Sequence, residues 1–169
     1  MNSNLRASLG IVLLSCVTTP SYAKLNVSEF VVAFQTICLP NDGNLAGVMS
    51  AAKKEGFHPD HDLVAPERFA ARRGELTLIY NGISIERPAS TDPQCFIQSN
   101  GVKERAHESV ALLVGQALGL GVGTPRQSDD ARLTDWFIST ASGPRKVSLV
   151  SQRLTDGPYL ILVVMPAEK

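Results

Sequence analysis

Glu75 to Glu86 reads ELTLIYNGISIE, and this stretch decides the fold class. Leu76, Leu78 and Tyr80 alternate with Thr77 and Ile79, so the apolar period is 2 and the segment predicts a strand. Asn81-Gly82 is the strongest short signal for a hairpin, and Ile83 to Glu86 then runs back. Further strands follow from the same reasoning. Gln94 to Gln98 carries Cys95 and ends before an Asn100-Gly101 turn. Arg132 to Ser139, Arg145 to Gln152 and Tyr159 to Met165 are separated by Ser142-Gly143-Pro144 and Asp156-Gly157-Pro158, both turn sequences. The last of these strands is apolar on both faces, which predicts a central or well-covered place in the sheet.

Helical spacing governs the rest. Ser28 to Leu39 places Phe30, Ala33, Phe34, Ile37 and Cys38 on one stripe, with Ser28 as the expected cap and Pro40 as the stop. Asp42 or Asn44 can cap a second helix through Leu45, Val48, Met49 and Ala52, which Gly56 ends in a left-handed turn. Phe57 to Arg73 mixes charge with two prolines and reads as an irregular connection, with a helical turn at Pro66 to Ala71. Glu104 to Leu120 is the longest helical pattern, with Ala106, Val110, Leu113, Val114, Ala117 and Leu118 as its apolar face. Helices beside hairpin-linked strands, without a strand-helix-strand rhythm, predict an α+β fold. In it a mostly antiparallel sheet is packed by the long helix, and an N-terminal helical pair is stapled by a disulfide.

The amino terminus reads as an address. Arg6 precedes a short apolar run, Leu9 to Val17, and Ser21-Tyr22-Ala23 places small residues where a signal peptidase cuts. The run is far shorter than the roughly 20 apolar residues that a membrane-spanning helix needs. Residues 1–23 are therefore the expected signal peptide, cleaved after Ala23, and residues 24–169 one compact domain with no integral membrane span. A second reading stays open: Leu13-Leu14-Ser15-Cys16 resembles a lipobox, in which Cys16 would carry the lipid. Periplasmic or secreted placement is the expectation, with lipid anchoring at Cys16 the alternative.

Cysteine usage is consistent with export. Of three cysteines, Cys16 leaves with the signal, and Cys38 and Cys95 can form a single intramolecular pair. The other possibility is two buried thiols or a reactive one. Neither cysteine lies in a C-x-x-C or beside a histidine that would activate it. Sixteen basic and 16 acidic residues, with no long run of either sign, give no electrostatic reason to expect nucleic acid as a partner.

Phe34, Cys38 and Leu39 in an opening helix, then Ala52, Gly56-Phe57 and Pro59, resemble a group of small exported proteobacterial proteins of unknown function. The resemblance covers about the first 40 residues after the signal. It implies a periplasmic or secreted location and a structural cysteine, and it brings no activity and no site residues.

Candidate chemistry is sparse. His58, Asp60, His61 and Asp62 form the densest set of possible metal ligands or proton-transfer groups, although Pro59 works against a regular helical turn there. A polar surface loop accounts for the run equally well. His107, near Glu104 and Glu108, is a conceivable general base or a solvated helical histidine. Gly115, Gly119, Gly121 and Gly123 follow a helix instead of preceding one, so they do not make a phosphate loop. Close packing at Gly115 and Gly119, with chain exit at Gly121 or Gly123, is the expected role. Trp136, Phe137 and Tyr159 read as core or sheet-face aromatics, and any that is exposed would mark a binding face. No G-x-S-x-G, H-E-x-x-H or Walker-like element occurs.

The expected role is a non-enzymatic, exported binding or envelope-associated domain whose partner is another envelope or secreted protein, with no cofactor implied. The alternative is a small hydrolase or metal-dependent enzyme built on His58 to Asp62. Oligomeric state and ligand are left open.

Overall fold

Asn26 starts the first helix by accepting a hydrogen bond from the Glu29 amide at 3.3 Å, so the cap lies two residues before the expected Ser28. The computed structural model describes residues 26–62, 68–81, 93–100, 106–128, 130–141, 143–154 and 157–167. The signal segment with Cys16 and Ala23, the Gly82 turn and the returning Ile83 to Glu86 strand lie outside those residues.

Helix α1 (Val27–Ala33) continues into a π-helical turn, Phe34–Cys38. Helix α2 (Leu45–Lys54) is capped by Asn44, whose side chain accepts from the Gly47 amide at 3.0 Å. The chain then makes strands β1 (His58–Pro59), β2 (Arg68–Arg73), β3 (Leu76–Asn81) and β4 (Gln94–Asn100). Helix α3 (His107–Leu118) intervenes, and β5 (Thr124–Gln127), β6 (Ala131–Thr140), β7 (Gly143–Leu154) and β8 (Gly157–Pro166) complete the order. All eight strands join one sheet in the order β1-β2-β3-β4-β8-β7-β6-β5, with every pairing antiparallel. Strand β8 lies between β4 and β7, in the middle of the sheet, and every residue from Tyr159 to Met165 is buried.

This architecture corrects the expected fold class. Among the described residues the protein is chiefly an eight-stranded antiparallel sheet carrying three short helical segments, and no long helix packs across it. The reason lies in α3. Gly119 takes a left-handed conformation, φ 66°, and its amide bonds back to the Gln116 carbonyl, which ends the helix after 12 residues. The buried stripe of α3 is also narrow, limited to His107, Val110, Val114 and Gly115. Leu113 and Ala117, expected to face the sheet, are exposed, and Leu112 beside them is 55% exposed.

The connection expected over Phe57 to Arg73 is likewise corrected at Arg68–Arg73, which is strand, not a helical turn. Phe69, Ala70 and Ala71 are buried there because β2 pairs along its whole length with β3, from Arg68 opposite Asn81 to Arg73 opposite Leu76. Two alanines give this strand little intrinsic β preference, so tertiary pairing decides it. Strand β5, also unforeseen, is held by β6 through Thr124–Asp135 to Gln127–Arg132.

The two faces of the sheet are both apolar. On one, Phe69, Leu78, Tyr80, Ile97, Trp136, Val147, Leu149, Leu162 and Val164 pack with Phe30, Phe34 and Ile37 of the first helical segment and Val110 and Val114 of α3. On the other, Ala70, Ile79, Phe96, Leu133, Val150, Tyr159, Ile161, Val163 and Met165 form a second buried cluster. A disulfide joins Cys38, at the end of the π turn, to Cys95 on β4 with the Cα atoms 5.3 Å apart. It ties one helical segment to the sheet; α2 is not part of the staple. Among the described residues no helix is long and apolar enough to cross a membrane.

Candidate functional site

The sequence candidates do not assemble into one site. Strand β1 places His58 and Pro59 on the sheet edge with both side chains exposed, opposite Arg72 and Ala71. Asp60 pairs with Arg72 at 2.5 Å and also accepts from the Asp62 amide at 3.2 Å, the geometry of a turn held by its own aspartate. His61 and Asp62 are exposed. Among the described residues no three His, Cys, Asp or Glu side chains come together as a metal-holding group. His58, His61 and Asp62 are thus exposed on a turn that the Asp60–Arg72 ion pair holds.

His107 is not solvated. It is 4% exposed, wedged between α3 and the sheet, with Nδ1 2.7 Å from Ser151 Oγ and Nε2 2.9 Å from Thr134 Oγ1. A neutral imidazole donates from one nitrogen and accepts at the other, and two hydroxyls satisfy either tautomer. Burial lowers its pKa below the ordinary histidine range; Glu108 opposes the shift and Arg132 adds to it. Both ring nitrogens are committed to the interior, so the group pins a helix to a sheet and is not placed as a general base.

The glycines divide by role. A Cβ on Gly115 would stand 2.1 Å from the Gly121 carbonyl oxygen, so α3 and the chain leaving it pass too close for any side chain there. Gly119 has open space and serves as the helix exit, two residues before the expected Gly121. Trp136 and Tyr159 are buried, Trp136 with its indole Nε1 donating to the Gly121 carbonyl at 3.1 Å. Phe137 is the exception among these aromatics, 68% exposed.

Phe137 stands at the rim of a cleft that no sequence motif marks. On the sheet face opposite α1 and α3, Thr124, Arg126, Asp135, Phe137 and Lys146 line a volume of 290 Å³. Register puts them together: Thr124 is opposite Asp135, and Phe137 is opposite Lys146. Asp135 is 5% exposed, receiving Arg126 Nε at 2.5 Å on one oxygen and Ser148 Oγ at 2.6 Å on the other. Lys146 is equally withdrawn, 5% exposed. A second depression of 320 Å³ shares Arg126 and continues over the β5 edge to Gln127, Arg132 and Glu108. There Arg132 and Glu108 pair at 2.8 Å. The arrangement sets an exposed apolar ring beside withdrawn, mutually bonded charged side chains. The usable sequence signal was the alternation of Asp135 and Phe137 with Lys146 across a hairpin, which requires the register to be known.

Searches against family models, curated proteins and solved structures found no match to this chain.

Proposed function

We propose that this protein is an exported, non-catalytic binding domain whose contact surface is the β5–β6–β7 end of the sheet. The observation that carries the reading is the exposed Phe137 ring beside the buried Asp135 and Lys146 side chains. Large exposed aromatics next to withdrawn charges are what recognition surfaces are made of. The Cys38–Cys95 bond supports export, because such bonds persist in oxidising compartments, as does the apolar Leu9 to Val17 run after Arg6. Its partner in this reading is another envelope or secreted protein.

Contact through strand addition is disfavoured by both edges. The outer strands β1 and β5 each contain a proline, Pro59 and Pro125, which cannot donate to an incoming strand. Recognition therefore falls to side chains.

Photo-crosslinking in the producing cell tests the reading. A photoreactive phenylalanine at 137 is compared with one at Met49, which is also exposed but lies on α2. The expected result is a saturable adduct from position 137 only, on a chain that begins at Lys24 with both thiols oxidised. Equal labelling from both positions, or an intact Met1 with alkylatable Cys38 and Cys95, would overturn it.

A further inference from the structure

We propose that the outer face of α3 pairs with the same face of a second copy of this chain, the two helices running antiparallel about a two-fold axis that passes between Leu112 and Leu113. The Phe137 surface lies on the other face of the sheet and stays free in both copies.

Helix α3 spends its inner side on the sheet and leaves an ordered stripe outside. His107, Val110, Val114 and Gly115 are buried, while Ser109, Leu112, Leu113 and Gln116 are all exposed. Steps of three, four and three residues put those four side chains on one helical face. Leu112 is 55% and Leu113 46% exposed, and they are neighbours at the middle of a helix that runs from His107 to Leu118. Leucines at the centre with polar residues at both ends is the layout of a contact surface, dry in the middle and wet at the rim.

Symmetry identifies the occupant. In either direction the stripe reads polar, leucine, leucine, polar. Turned end for end about the helix centre, Leu112 of one copy meets Leu113 of the other, and Ser109 meets Gln116. A hydroxyl and a carboxamide each donate and accept, so both ends of the stripe gain a hydrogen-bond partner. Self-complementarity of this kind is what an isologous contact requires. The stripe carries no charge to oppose it, and Glu108 beside it is held by Arg132 at 2.8 Å. An antiparallel pair also sets the positive start of each α3 beside the negative end of the other.

Helix α1 borders the stripe, since Gln35 Nε2 donates to the Ala117 carbonyl at 2.7 Å. Val32 stands one turn before Gln35 and, at 43% exposed, widens the apolar margin. A membrane surface fits less well. Helices that lie on lipid carry lysine or arginine along their polar side, and α3 contains neither.

Sedimentation velocity of the whole chain as the producing cell makes it, with its disulfide intact, tests the pairing. We expect reversible dimers with a Kd of about 100 µM, because one helix pair buries less area than a permanent interface. Leu112→Gln with Leu113→Gln is expected to weaken dimerisation about tenfold without moving the melting temperature, since both side chains are already in solvent. Ser109→Glu with Gln116→Lys should dimerise at least as well as the parent, because each glutamate then meets a lysine of the other copy. Ser109→Glu with Gln116→Glu sets like charges opposite each other and should lose about tenfold. Should the leucine variant melt early, the two charge variants decide alone. Equal loss in both charge variants would mean a different register or a parallel pair and would overturn the proposal. A monomer up to about ten times the expected Kd, or dimers indifferent to the leucines, would overturn it as well. Two results would assign the face to another occupant instead: monomers that bind phosphatidylglycerol vesicles through the leucines, or monomers whose photoreactive residue at 112 captures a different protein in the producing cell.

Discussion

Gly123 and Trp136 are in closer contact than any side chain would allow: a Cβ on Gly123 would lie 2.6 Å from the indole Cε2. The same atom would also stand 2.5 Å from Thr134 Cγ2. Neither neighbour can easily retreat, because Trp136 is buried in the core and its Nε1 donates to the Gly121 carbonyl. Gly123→Ala is therefore an overpacking substitution at the junction between α3 and β5, expected to destabilise the fold by about 1–3 kcal/mol. Urea unfolding followed by the fluorescence of Trp136, the single tryptophan, measures it directly. An unchanged midpoint would mean that β5 shifts freely, and with it the wall of the cleft.

Reduction of Cys38–Cys95 is expected to lower stability by about 4 kcal/mol, the chain-entropy value for a loop of this length. The contacts around both sulfurs stay in place, since Cys38 and Cys95 belong to the main core cluster. The double variant Cys38→Ala with Cys95→Ala should reproduce most of the loss without reductant. Denaturant midpoints of the oxidised, reduced and double-variant forms provide the check.

His107 makes stability depend on pH in a defined direction. Its folded pKa is below that of the unfolded chain, because burial penalises the imidazolium. The neutral form is favoured by folding, so its contribution is complete above the unfolded value of about 6.5 and is lost as pH falls below it toward the folded value. Stability measured from pH 7.5 down to 5 should decline, and His107→Gln should flatten part of that decline. Persistence of the full slope in that variant would assign the pH dependence to other groups.

The sequence carried the strands better than their cover. Leu76 to Tyr80 and Tyr159 to Met165 announce themselves by alternation and by unbroken apolarity, and β3 and β8 lie there. What misled was α3, where Leu113 and Ala117 join Val110 and Val114 in the expected stripe, while the observed helix buries the two valines and leaves Leu113 and Ala117 exposed. Helical periodicity gives several neighbouring faces of similar hydropathy, and only the docking partner selects one. Strand β2 was hidden for another reason. Its register with β3 makes Phe69, Ala70 and Ala71 buried, and nothing local requires it. The cleft residues were legible only as separate letters. Thr124 and Arg126 precede Asp135 by a turn, and Lys146 comes from the next strand, so their common face follows from two registers at once.

Asp42 and Arg145 supply the strictest test of how that sheet is held. Arg145 Nε donates to Asp42 Oδ2, although the residues are 103 positions apart, and Thr140 Oγ1 approaches the same oxygen at 3.4 Å. Both side chains are largely buried, the carboxylate almost completely. The pair connects the turn before α2 to the β6–β7 hairpin that carries Phe137 and Lys146. Tyr80 lies in reach of the same charges, and its phenol is raised above the ordinary range by burial and by Asp42, with Arg145 opposing. Arg145→Met takes the guanidinium from a carboxylate that water cannot reach, and is expected to cost about 3–5 kcal/mol. Adding Asp42→Leu removes the stranded charge, so the double variant should recover much of that loss. A double-mutant cycle in urea reads the coupling. Loss of stability in Arg145→Met with no recovery in the double variant would show that the residues matter for packing, not for each other.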